Sequence, residues 1–392
     1  MGIFPFGGVP GVYLDTDGAV RVRQVDAKQE LASMQARLRA AARAKDDPLV
    51  YISLPKLFAQ AQTLQEAGKP LPEELKYLGG MTRLQYVFVL PGQKDLVIAG
   101  PAEHWHVLRQ AGDPCEFVVG DRTGRPVMQL DDLVVAMRTA REGGGKVFGC
   151  GIWPSPNSLK IADDIERRMA RNTRIERLAF VCVAADYELK RLALGIDRAP
   201  VAGVGNGVDH SRSAANKFWF ESTYDPLLVS ADGNAYELRG PRLLVRAGQF
   251  DFDPRGATEK AKTFAANFTK HVAELAAAQP LIAELQNVAD ESLLANLIRH
   301  DRLAQKIDWD NAWALDEAGF HVATIPVPRT AQTLVGFTNG SLVAGGVHLM
   351  LGAAVDEARQ VDQKRAIDAA RQPLLASLRQ GASVGPLLQP AQ

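Results

Sequence analysis

The sequence predicts an α+β protein with a mixed sheet core, long packed helices, a small terminal β unit and a C-terminal helix. Three observations support this prediction. The 392 residues are 46% hydrophobic and 23% charged, which suffices for a sizeable core. Strand-like apolar runs alternate with helical patterns between about 126 and 195. Two long helical patterns follow, and glycine-rich strand patterns occur near both ends.

Local signals place the elements of the first third of the chain. Strand-like runs at 12–14 and 19–25 flank an Asp-Gly turn, which favours a hairpin because glycine accepts positive φ. Ser53 is the expected N-cap of a helix that ends at Gly68. The other elements expected in this part are a helix at 27–45, a short helix at 72–78, and paired strands at 86–90 and 95–99 around Pro91-Gly92-Gln93.

The middle of the chain shows α/β alternation, which is typical of a layered, partly parallel unit. Asp131 is expected to cap the first helix of this unit, and a buried strand is expected to lead into a helix that Asp186 opens. The predicted order is strand 126–130, helix to about 141, strand 146–152, helix 155–172, strand 177–183 and helix 184–194.

Strands return after a polar loop, and long helices follow. Thr258 and Pro280 are expected to begin helices over 258–278 and 280–304, the second docked along one apolar face. A last strand set at 321–349 is expected to pair with the N-terminal strands, before a helix from about 353 to 379. The predicted units are 1–50, 51–245, 246–306, 307–352 and 353–392.

Composition excludes several classes of protein. Forty-five basic and 45 acidic residues give no net charge, so no nucleic-acid partner is expected. No apolar run is long enough for a membrane span, and the N-terminus lacks the pattern of a signal peptide. The phosphate-binding glycine motifs are missing, so no cofactor is expected. The chain has three cysteines, which allow at most one disulfide among Cys115, Cys150 and Cys182.

The favoured candidate site lies between two predicted strand edges. Asp186, Tyr187 and Lys190 share the start of a predicted helix, and Arg125 and Asp131 follow a neighbouring strand. If both stretches emerge at one edge of a sheet, these side chains line a polar pocket. The alternative is structural, because Asp186 and Lys190 are spaced to pair on one helical face.

Other candidates are a thiol, a histidine pair and a tryptophan pair. Cys150 lies between two glycines, which would let a substrate approach its sulfur, although cysteine is also a common core residue. His104 and His106 alternate as ligands on one strand face would, but no complete motif supports a metal, and none is expected. Trp309 and Trp313 form either a binding surface or the edge of a core.

Several segments resemble a family of bacterial proteins of unknown function that is abundant in planctomycetes. The resemblance covers roughly residues 50–300 and rests on 75–88 (LKYLGGMTRLQYVF), 95–103, 124–127, 130–136, Gly149-Cys150 before Pro154, and 185–191. It brings no activity, but it implies one integrated architecture. Members commonly carry signal peptides, so the resemblance favours a location outside the cytoplasm, although this chain shows no such peptide.

The expected function is that of a non-enzymatic binding or interaction protein of the cell envelope or the secreted fraction. A protein or a small polar ligand would be its partner. This expectation depends on the lack of a complete catalytic motif and on the neutral charge. The alternative is a hydrolase that uses the pocket around Asp186, Tyr187 and Lys190 or the Cys150 thiol.

Overall fold

A computed structural model confirms the predicted α+β class. It describes residues 12–14, 19–22, 49–108, 117–142, 149–150, 174–193, 199–204, 217–223, 227–230, 232–248, 255–326, 330–331, 334–338 and 341–345. The helices predicted at 27–45, 155–172 and 353–379 lie outside these residues.

The strands in chain order are β1 (Val12–Leu14), β2 (Ala19–Val22), β3 (Leu49–Ser53), β4 (Tyr86–Leu90), β5 (Asp95–Pro101), β6 (Trp105–Leu108), β7 (Phe117–Gly120), β8 (Gly149–Cys150), β9 (Arg174–Glu176), β10 (Lys217–Ser222), β11 (Leu227–Val229), β12 (Ala235–Leu238), β13 (Leu243–Gly248), β14 (Thr324–Pro326), β15 (Thr330–Ala331), β16 (Leu334–Thr338) and β17 (Ser341–Gly345). The helices are α1 (Leu54–Glu66), α2 (Glu73–Lys76), α3 (Leu130–Glu142), α4 (Arg177–Ala193), α5 (Glu259–Lys270), α6 (Val272–Ala278), α7 (Pro280–His300), α8 (Leu303–Lys306) and α9 (Ala312–Leu315).

The largest described sheet has the order β11-β12-β4-β5-β3, and every neighbouring pair in it is antiparallel. The hairpin of β4 and β5 confirms the predicted strand pair, with Val87 opposite Ile98. Its turn, Pro91–Gln93, is a single 3₁₀ turn that Lys94 closes with φ 52°. Both strands are buried almost throughout, which agrees with their continuous apolar sequence.

Two of the predicted strands are wrong. Pro126 makes only an isolated bridge to Val119, and the chain enters α3 at Leu130, so no strand occupies 126–130. The apolar stretch 177–183 is the first part of α4, not a strand. A short apolar run fits a buried helix as well as a strand, and packing decides between them. The described sheets therefore do not show the partly parallel unit predicted for 126–195.

Helix α7 is the centre of the fold. The sequence predicts that this helix docks along one apolar face, but every residue from Leu281 to Ile298 is buried, so its other faces are covered as well. Helices α3, α4, α6 and α8 pack against it. The predicted break at Gln279-Pro280 is confirmed, since α6 ends at Ala278 and Pro280 occupies the first turn of α7.

Side-chain caps fix two helix starts as predicted. The Ser53 hydroxyl accepts a hydrogen bond from the Lys56 N–H at 3.3 Å, and the Thr258 hydroxyl accepts one from the Ala261 N–H at 3.3 Å. Near the N-terminus, β1 and β2 form a hairpin, and β15 from the last part of the chain pairs in parallel with β2. Among the described residues, no helix combines the length and hydropathy that crossing a bilayer requires.

Candidate functional site

Helix α7 carries a row of polar side chains through the core. Glu284, Gln286, Asn287, Asp290 and Glu291 are all buried, although burying a polar or charged group is costly unless it is paired. Gln286 and Asp290 are four residues apart and share one side of the helix. Glu284, Asn287 and Glu291 are spaced by three and four residues and share another. The two sides belong to two separate charge clusters.

The first group is the arginine cluster, which consists of Arg83, Arg125, Arg242, Gln286 and Asp290. Arg83 donates to Asp290 through Nε at 2.8 Å and Nη2 at 3.3 Å. Arg242 Nε lies 2.8 Å from Asp290 Oδ1, the oxygen to which Arg83 Nη2 donates. Arg83 and Arg125 both donate to the Gln286 amide oxygen, at 2.9 and 3.2 Å. Three guanidinium groups therefore meet around one carboxylate and one neutral amide.

The strands position these arginines. Arg83 precedes β4, and its backbone crosses β5 closely at Gly100, where a Cβ would lie 1.8 Å from the Arg83 carbonyl oxygen. Arg242 lies between β12 and β13 with φ 56°, a left-handed conformation that is strained for a non-glycine residue. Its Nη1 donates to the Leu238 carbonyl at 2.9 Å, which directs the remaining guanidinium atoms towards Asp290.

The arginine cluster has an excess of positive charge. Burial and the charge of Arg83 lower the pKa of Arg125 to about 10 and that of Arg242 to about 9, so both remain protonated at neutral pH. The negative charge of Glu103 also acts on Arg125 and raises its pKa slightly. Even when Glu103 is counted, the three arginines of the cluster face two carboxylates, those of Asp290 and Glu103.

Arg125 is the least compensated of the three. Asp290 is shared by Arg83 and Arg242, whereas Gln286, through its neutral oxygen, is the one described residue that the guanidinium of Arg125 contacts. Its Nε is buried and has no hydrogen-bond partner in the part of the chain that the structure describes. An uncompensated buried cation is costly, and a bound anion would compensate it.

The second group is the acid cluster, in which Asp132, Glu284 and Glu291 surround Arg177. Arg177 opens α4, donates to Glu284 at 2.6 Å and bridges to Asp132 on α3. Glu291 accepts the Gln129 N–H at 3.3 Å, and its second oxygen has no partner among the described residues. Burial, and then the charge of Asp132, raises the pKa of Glu291 well above its usual range.

Replacing Glu291 by glutamine is expected to stabilise the protein more as the pH rises. Because the folded-state pKa of Glu291 is raised, stability is fully present below the unfolded pKa of about 4.3 and is lost as the pH rises through the folded pKa. The glutamine side chain cannot ionise, so the variant does not lose this stability at high pH. For a buried group without a partner, the loss is on the order of 1–2 kcal/mol. Urea unfolding at about pH 5 and pH 8 measures it. The control Glu259→Gln, at an exposed glutamate, should show no such trend.

The described structure also contains an open cavity of about 220 Å³ at the C-terminal end of α7. Its floor is apolar and includes Met137 and Ile298, and Arg141, Arg299 and Arg302 surround it. It lies on the same side of α7 as the acid cluster, farther towards the C-terminus, and is separate from the arginine cluster.

Arg125 and Asp131, two residues of the pocket predicted from sequence, lie in different surroundings. Arg125 belongs to the arginine cluster. Asp131 instead accepts a hydrogen bond from the Ala323 N–H at 3.0 Å, and the charged groups that influence its pKa are Asp132, Lys76 and Arg177. Burial raises the pKa of Asp131. These two residues therefore belong to different surroundings.

Asp186, Tyr187 and Lys190 lie in the body of α4 and do not open a helix. The prediction that Asp186 follows a strand is wrong, since α4 begins at Arg177, about 13 Å earlier along the helix axis. The side chains of these three residues lie outside the described part of the structure. Their contact with Arg125 therefore stays a prediction.

The remaining candidates have separate surroundings. Cys150 is opposite Phe220 in a three-stranded sheet, and its side chain is not among those described. Cys182 is buried, and Cys115 lies outside the described residues. Trp309 packs on Phe58, and Trp313 on Phe320. Because α9 begins only at Ala312, the two tryptophans do not share one helical face.

His104 and His106 both contact the Asp121 carboxylate through Nδ1, at 2.6 and 2.5 Å. These hydrogen bonds, that of His106 first, lower the pKa of Asp121. No group of three or more potential ligands that could hold a metal ion occurs within the described ranges. Glu103 accepts the N–H groups of Arg122 and Thr123 and so holds the adjacent turn.

Comparisons with known proteins add no relative to this geometry: no family model, no curated protein and no solved structure matches the chain.

Proposed function

We propose that this protein is a non-enzymatic binding protein for a small oxyanion, such as a phosphate or carboxylate group, which the arginine cluster holds. The observation that carries the proposal is Arg125, a cation with a buried, unpartnered Nε and no carboxylate contact among the described residues. Guanidinium groups present paired N–H donors that match the oxygens of carboxylate and phosphate.

The partial solvent exposure of the arginine cluster supports ligand binding, because a ligand can reach the cluster from the surface. The side chain of Arg83 is 14% exposed, and Arg125 is only partly buried, so the cluster reaches the surface on this side. Asp290 and Arg242, by contrast, lie deep inside. An anion entering beside Arg83 and Arg125 would find a charge that Asp290 does not neutralise.

The groups in the arginine cluster favour binding over catalysis. Three guanidinium groups, an amide and an ion-paired carboxylate hold and orient an anion, and none of them is an activated nucleophile. The resemblance to exported bacterial proteins extends the proposal to a binding protein outside the cytoplasm, in the envelope or the secreted fraction.

Calorimetric titration with inorganic phosphate at fixed ionic strength tests the proposal. We expect saturable binding to the wild type and binding at least about tenfold weaker, equal to about 1.4 kcal/mol, in Arg125→Met. Arg122→Met removes an exposed arginine from the same turn and should change affinity less than about twofold. Equal binding by both variants, or no saturation, would contradict the proposal.

Stability without ligand gives an independent check. If Arg125 serves a ligand and not the fold, Arg125→Met should be at least as stable as the wild type in phosphate-free buffer, because it relieves repulsion from Arg83 and Arg242. Phosphate at about one hundred times Kd should then stabilise only the wild type, by about 2.7 kcal/mol. Thermal unfolding measures both, and a large loss of stability in the variant alone would assign Arg125 to the fold.

A further inference from the structure

The cavity at the C-terminal end of α7 combines an apolar floor with a cationic rim. Met137, Ile298 and Leu315 contribute to its floor, from α3, α7 and α9. The rim arginines are Arg141 in the last turn of α3, Arg299 in the last turn of α7 and Arg302 in the turn before α8. Four helices thus converge on one small concave site.

Charge at this cavity is not balanced within its own lining. None of the described residues that line it is an aspartate or glutamate, and its other polar residues are the neutral Gln305 and Asn311. A basic residue at the end of a helix also suits the helix dipole, and this accounts for Arg299. The same reason applies to Arg141 in the last turn of α3, but not to Arg302, which lies before a helix and is held with φ 52°.

We propose that this cavity binds a small aromatic carboxylate, with its ring on the apolar floor and its carboxylate at the rim arginines. A cavity of about 150 Å³ lined by apolar side chains holds a benzene molecule. The volume here, about 220 Å³, leaves room for a carboxylate beside such a ring. A fork of N–H donors at the rim matches the two carboxylate oxygens.

This site is independent of the oxyanion site. Residues 286 and 290 of the arginine cluster and residues 295 and 298 of the cavity lie on different sides of α7, because successive helical residues are rotated by about 100°. The ligands also differ in kind, since an inorganic anion has no apolar body to cover the floor.

Ligand-observed NMR titration with benzoate tests the inference, with benzyl alcohol and acetate as matched probes. We expect saturable benzoate binding at least about tenfold tighter than that of either probe, because only benzoate combines the ring and the charge. Equal binding of benzoate and benzyl alcohol would overturn the role of the arginines. Equal binding of benzoate and acetate would show that the apolar floor plays no role. Benzoate binding that does not saturate would show that the cavity is not a binding site.

Variants locate the binding. Arg302→Gln and Arg299→Gln, both at exposed positions, should each weaken benzoate binding at least about fivefold. Arg125→Met should leave it within about twofold, so that failure here and failure of the oxyanion site are distinguishable. If benzoate affinity falls in Arg125→Met and is unchanged in both rim variants, the proposed position is wrong.

Discussion

Replacing Asp290 by asparagine is expected to lower the free energy of unfolding by about 3–5 kcal/mol, the range for breaking a buried ion pair by removing one partner. Asp290 is fully buried and receives hydrogen bonds from Arg83 and from the Leu84 N–H, the latter at 3.1 Å. Arg242 Nε contacts its Oδ1. An asparagine of the same shape keeps the volume and removes the carboxylate that Arg83 and Arg242 contact directly.

Urea unfolding of the purified variant measures this loss, with Asp308→Asn as the control. Asp308 also pairs with a cation, Lys94 at 2.7 Å, but both side chains are exposed, so its replacement should leave the unfolding midpoint unchanged. A loss in Asp290→Asn as small as that of the control would show that the arginine cluster is solvated and not buried.

The second large effect is expected for Gly100→Ala, which should lower the free energy of unfolding by about 3 kcal/mol or more. A Cβ at this position would lie 1.8 Å from the backbone oxygen of Arg83. Backbone cannot rotate away as a side chain can, so β5 and the segment before β4 would have to separate. That separation would also move Arg83 from Asp290.

Gly92→Ala is the matched control, because no atom lies within 4 Å of the place that its Cβ would occupy and its φ is not positive. Thermal unfolding of the two variants should differ widely, with Gly92→Ala close to the wild type. Similar melting temperatures would mean that the chain segments at Gly100 and Arg83 are farther apart than the structure places them.

Local features of the fold were predictable from sequence because their causes are local. The caps at Ser53 and Thr258 depend on a hydroxyl three residues before the N–H it accepts. The break before Pro280 follows from proline geometry, and the hairpin around Pro91-Gly92-Gln93 from turn chemistry.

Helix α4 was not predictable in the same way. Its first half, Leu178 to Val183, is as apolar as a buried strand, and periodicity does not separate the two cases. In the structure, Arg177 anchors the start of α4 to Asp132 and Glu284, and the helix packs on α7. Both causes are tertiary contacts, which no local pattern records.

The arginine cluster was missed for a related reason. Arg83 and Asp290 are 207 residues apart, and the sequence alone groups Arg125 with Asp131, which lies six positions farther along the chain. One signal was present: α7 places Gln286 and Asp290 four residues apart within a helix that is otherwise rich in Leu, Ile and Ala. Paired polar residues in so apolar a helix indicate a buried network, because they must find partners there.

The central claim is that an oxyanion binds beside the unpartnered Nε of Arg125. Crystals soaked in selenate, a tetrahedral oxyanion with an anomalous signal, test it directly. We expect an anomalous peak whose oxyanion oxygens lie within hydrogen-bond distance, about 3 Å, of the Arg125 guanidinium and next to Arg83. A carboxylate of the protein itself in contact with Arg125 Nε, or selenate bound only elsewhere, would contradict it.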